Sequence, residues 1–88
     1  MNKKEAQSIL CNELEIFQKK QYCELKELLI KSPFTFEKKV QNKTVYQIEV
    51  SILWDDKKGK DIRVIGSIDD GGWRSYFPIT DSFIKKQE

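Results

Sequence analysis

The 88-residue sequence contains no histidine. That absence removes His-dependent triads, His-ligated zinc and imidazole general bases together. It also lacks a long apolar run. The opening Met1-Asn2-Lys3-Lys4-Glu5-Ala6 has basic residues without the hydrophobic stretch of a secretory signal, and no segment reads as a transmembrane helix. A cytoplasmic chain without membrane association is the expectation. Cysteine is scarce: Cys11 and Cys23 fall within one helical pattern, where twelve residues amount to about 18 Å of rise, beyond the ~7 Å that a disulfide tolerates between Cα atoms. They lack the close spacing of a zinc or redox pair and read as free thiols of a reducing compartment. With four glycines and two prolines the chain has no Gly/Ser linker, repeat or low-complexity tract.

What remains is the composition of one small globule. Hydrophobic residues make up 39% and charged residues 34%, too apolar for a disordered chain. At this length roughly 60–65% of the unfolded surface is hidden on folding, so residues 1–88 form one domain with one modest core. Sixteen basic and fourteen acidic residues leave a net charge of +2, spread over both halves, which gives little support to nucleic-acid binding.

From Lys4 to Ile30 the apolar positions Ala6, Leu10, Leu14, Phe17, Leu25 and Leu28 advance by threes and fours, the stripe of an amphipathic helix with one polar break at Gln21. Glu15/Lys19 and Glu27/Lys31 are acid-before-base pairs on its solvated side. Lys31-Ser32-Pro33 ends it. One continuous helix of this length would run about 40 Å, longer than a typical strand, so part of it overhangs the sheet or packs on a partner, or else a kink or an early start shortens it. A second seam, Ile9, Ile16 and Cys23 at seven-residue spacing, lies to one side of the main stripe and is a candidate dimer surface.

After Pro33 the period changes from 3.6 to 2. Phe34–Val40 reads as an edge strand and Val45–Trp54 as the clearest strand, with Tyr46, Ile48, Val50, Ile52 and Trp54 on one face. Asp55 to Lys60 is a loop with Gly59 at positive φ. Ile62–Ile68 is the third strand, Asp69-Asp70-Gly71-Gly72 a tight turn and Trp73–Phe77 the fourth. A two-residue turn at Asp70-Gly71 sets Ile68 against Trp73, Gly66 against Ser75 and Val64 against Phe77. Pairing Ile52 with Val64 and Ile48 with Ile68 brings the second strand into the same register. The segment 81–84 reads as a short C-terminal cap. The fold class is α+β: one long N-terminal helix on an antiparallel meander of about four strands.

That register nominates three surfaces. On the face away from the helix, Leu53, Arg63, Ile65, Arg74 and Tyr76 combine aliphatics with the arginine and tyrosine enriched at protein interfaces; an ordinary solvated face, with Arg74 reaching across Ser67 to Glu49, is the plainer alternative. On the helix side, Gly66 and Ser75 leave a hollow flanked by Trp54 and Trp73, a pocket for a small ligand unless Phe17 fills it. The third is the Ile9, Ile16, Cys23 seam. Lys57, Lys58 and Lys60 after Trp54, with Arg63, Arg74 and Tyr76 on one face, suggest a basic-aromatic platform for nucleic acid, opposed by the interspersed aspartates. The doublets Asp55-Asp56 and Asp69-Asp70 match no calcium loop and serve turn chemistry.

The stretch Val50-Ser51-Ile52-Leu53-Trp54-Asp55-Asp56, followed by residues 66–84 with Gly66-Ser67-Ile68-Asp69-Asp70-Gly71-Gly72-Trp73-Arg74 at their head, resembles a family of small bacterial proteins of uncharacterised function. The resemblance covers roughly the C-terminal half and implies a short bacterial protein that stands alone; it carries no activity or site residue across. These readings point to a non-enzymatic protein-binding or assembly module, an adaptor, immunity-type protein or homodimer, with no catalytic residue, metal or cofactor. A nucleic-acid binder and a small-ligand domain are the rivals.

Overall fold

A computed structural model of the protein describes residues 3–40, 44–71 and 78–87. Two helices, α1 (Lys3–Gln18) and α2 (Tyr22–Leu29), precede four strands, β1 (Phe34–Lys39), β2 (Val45–Trp54), β3 (Ile62–Asp69) and β4 (Ile79–Lys85). The strands form one antiparallel sheet in the order β1-β2-β3-β4, so the α+β class and the meander hold. Both helices lie on the same side: α1 packs over β3 and β4, α2 over β2 and β3.

The single long helix is corrected to two. The buried Tyr22 lies five positions on from the buried Phe17, and at 3.6 residues per turn an unbroken helix would point Tyr22 about 140° away from Phe17. The chain breaks at 19–21 instead, which returns Tyr22 and Leu25 to the sheet. Gln21 is extended (φ −74°, ψ 159°), and Lys20 N–H donates back to Phe17 O at 3.1 Å to close the last turn of α1. The Lys85 ammonium donates to Gln18 O at 3.1 Å, a cation where the helix dipole favours one. Each helix is now short enough to lie within the sheet, α1 being about 24 Å long. Gln21 makes no side-chain cap at the start of α2. Gln21→Asp is expected to raise stability by about 0.5–1 kcal/mol, read as a higher urea midpoint at unchanged slope.

The β2–β3 register is the one the alternation requires: Ile52 opposes Val64 and Ile48 opposes Ile68. Gly59 takes φ 85° in the connecting loop, closed by Asp55 N–H on Asp61 O at 2.9 Å. The fourth strand is corrected. A strand has two pairing edges, and the one β3 leaves open after β2 is filled by β4, with Ile68 opposite Ile79, Gly66 opposite Asp81 and Val64 opposite Phe83. Trp73, Ser75 and Phe77, expected at those positions, lie outside the described residues. The expected C-terminal cap is therefore the fourth strand itself. Its local pattern hid it, because Asp81 and Lys85 occupy positions on the helix-facing side where a strand would normally carry apolar residues.

The core is one cluster between the layers: Ala6, Leu10, Leu14 and Phe17 from α1, Tyr22 and Leu25 from α2, Tyr46, Ile48, Val50 and Ile52 from β2, and Ile62, Val64 and Ile68 from β3. Polar groups tie its margins. Tyr46 Oη donates to Glu5 Oε1 at 2.8 Å, Tyr22 Oη hydrogen-bonds Lys60 O, and Ile52 N–H donates to Ser32 Oγ at 2.7 Å. No helix among the described residues is long and apolar enough to cross a membrane.

Candidate contact surface on the open sheet face

Because alternate side chains of a strand point to opposite faces, the register fixes what the sheet presents away from the helices. Reading across the strands, the first row is Lys39 and Val45; the next is Glu37, Gln47 and Asp69; then Thr35, Glu49, Ser67 and Thr80; then Ser51, Ile65 and Ser82; then Leu53, Arg63 and Ile84. Neither helix reaches this face, since both pack on the other one.

The last row is the apolar end. Leu53 is 39% and Ile84 44% exposed, and Arg63 lies between them. The Arg63 guanidinium is held from the side: its Nε and Nη2 both donate to Asp55 Oδ1 at 2.8 Å. With side chains 38% and 22% exposed, that pair adds only about 0–1 kcal/mol, and its effect is to hold the guanidinium toward Asp55 in the row it shares with Leu53 and Ile84. Leu53, Arg63 and the half-buried Ile65 are thus brought together as expected. Arg74 and Tyr76 lie outside the described residues, and the positions expected for them beside Ser67 and Ile65 are held by Thr80 and Ser82 of β4. Ile84 was not foreseen, since its outward direction follows only from pairing β4 with β3.

The other end of the face is acidic. Thr35, Glu37, Gln47, Glu49, Ser67 and Asp69 line a groove of about 500 Å³, with Pro78 at its border. None of its three carboxylates is in an ion pair with a described residue; Asp69 Oδ1 accepts Gly71 N–H at 2.8 Å, with Gly71 at φ 81°. Of the residues expected to form a basic-aromatic platform, Arg63 is paired with Asp55 and Arg74 and Tyr76 lie outside the described residues, while three carboxylates and Lys39 share the other end of the face.

The two helix-side candidates come apart. A Cβ built on Gly66 would lie 2.8 Å from Leu10 Cδ1 and 3.0 Å from Leu14 Cδ2, so the expected hollow is filled by α1. Phe17 packs elsewhere, against Phe34 with ring centroids 6.4 Å apart. Trp54 is half-buried against the core; Trp73 and Ser75 lie outside the described residues. In the seam, the helix break puts Cys23 on a different helix from Ile9 and Ile16. Ile9 packs on the core, Ile16 is 54% exposed, and Cys11 and Cys23 are both exposed free thiols.

Comparisons with protein-family models, with curated proteins and with solved structures find no match. The geometry of the chain's own residues is what bears on function.

Proposed function

We propose that this chain is a non-enzymatic protein-binding module, a small bacterial protein of the cytoplasm, that contacts its partner through the open face of the sheet. The observation that supports this is the row Leu53, Arg63 and Ile84 with Ile65 behind it: exposed aliphatics around a positioned guanidinium, on a face that neither helix covers. Interface centres combine apolar area with arginine, and their strongest contacts come from a few such residues. The packed contact at Gly66 removes the space that a small-ligand domain would need there, and the acidic groove disfavours phosphate on the face.

The test is capture of tagged protein from the lysate of its own host, with nuclease present, comparing wild type with a Leu53→Glu, Ile84→Glu double variant. Both positions are already exposed, so the melting temperature should change by only a few degrees. The expected result is a stoichiometric protein partner whose recovery falls about tenfold or more with the variant. A partner captured equally well by the variant would remove the open face from consideration.

A further inference from the structure

Within that reading, which this inference rests on, we propose that the partner docks through a basic, extended segment whose cationic side chains sit among Glu37, Glu49 and Asp69 and whose apolar side chains cover Leu53 and Ile84. Glu37 and Asp69 flank Gln47 in one row, and Glu49 is diagonal to both in the next, so three carboxylates share one groove; among the described residues none of the three is in an ion pair, and the lone Lys39, one row beyond Glu37, leaves the cluster net negative. Diagonal neighbours on adjacent strands stand about 7–8 Å apart. Carboxylates so dispersed do not converge on a single ion, and among the described residues no group of three acidic or thiol side chains is placed to hold a metal. Distributed negative charge of this kind matches positive charge spaced along a chain.

The dimensions select the conformation. Glu37 and Asp69 stand on strands separated by β2, two spacings or about 10 Å apart. A helix is itself about 10–12 Å across and would ride over both carboxylates, whereas an extended chain fits between them. Along β2, the rows at Gln47, Glu49, Ser51 and Leu53 repeat about every 6.7 Å, which is also the step between same-side residues of an extended segment. A segment aligned with the strands therefore places side chains i and i+2 in the acidic rows, i+4 over Ser51 and Ile65, and i+6 on Leu53 and Ile84. The matching pattern is basic, any, basic, any, small apolar, any, large apolar.

The probe is the fluorescein-labelled octapeptide Lys-Ser-Lys-Ser-Val-Ser-Leu-Ser, titrated into the full chain by fluorescence anisotropy and followed by amide NMR shifts. Expected are saturable binding, amide shifts confined to the outward positions of the four strands, Ile84 of β4 included, and at least about tenfold weakening between roughly 0.05 and 0.5 M salt. A Glu37→Gln, Glu49→Gln, Asp69→Asn triple variant should lose about tenfold in affinity while melting normally, since the amide that replaces the Asp69 carboxylate keeps an oxygen for the Gly71 N–H. Absence of saturable binding, equal affinity for the triple variant, or shifts on the helix side would each overturn the inference. It would fall alone, leaving the binding-module reading in place, if the Leu53→Glu, Ile84→Glu variant lost the native partner while the triple variant kept it.

Discussion

Leu25→Ala should destabilise the protein by about 3 kcal/mol, the middle of the range for truncating a fully buried leucine. Leu25 has no exposed surface and, with Tyr22, supplies the buried face of the two-turn helix α2. An isolated helix of eight residues does not hold in water, so α2 depends on that packing. For a domain of this size the loss corresponds to a fall in melting temperature of about 12–24 °C, measurable by calorimetry. A fall of only a few degrees would mean that α2 is not docked on β2 and β3 as described, and with it the corrected path of the chain through 19–21 would be wrong.

Gly66→Leu tests the opposite error, that of assuming empty space. Its first added carbon already falls inside the contact distance of Leu10 and Leu14, and three more must follow. Overpacking of this degree should cost about 3 kcal/mol. Gly66→Ala should be far milder, because the nearest atom is the terminal methyl of Leu10, which can swing aside. Combining Gly66→Leu with Leu10→Ala should recover part of the loss, a coupling of about 1 kcal/mol or more in a double-mutant cycle, since the new side chain then occupies the vacated volume. If Gly66→Leu were harmless, a hollow would exist between sheet and helix, and the small-ligand reading would return in place of the open-face one.

These two positions also mark how far the sequence could be read. Gly66 was visible as a gap in an otherwise apolar face, yet only the approach of α1 decides whether the gap is a pocket or a contact. The stripe of α1 was legible because Ala6, Leu10, Leu14 and Phe17 repeat at helical spacing. The place and geometry of the break were not, because Gln21 is a single polar position in the stripe and its length alone allowed an overhang as well as a kink. On the candidate surface, Leu53 and Arg63 were legible from the alternation of β2 and β3, and the acidic groove was missed because it needs the register of β1 as well, which puts Glu37 near Glu49.

By itself the sequence determined the α+β class, the 34–40, 45–54 and 62–68 strand patterns and the β2–β3 pairing, because period-2 alternation fixes which face each residue takes and a one-residue slip would expose the whole apolar set. Tertiary structure decided which segment fills the second edge of β3. Alternation says which side chains point inward but not which strand is the neighbour, and that choice depends on how a segment packs against its cross-strand and same-face neighbours. The segment 79–85, with Asp81 and Lys85 on its helix side, becomes a strand through the edge it pairs with. Only that pairing turns Ile84 outward beside Arg63 and completes the apolar end of the face.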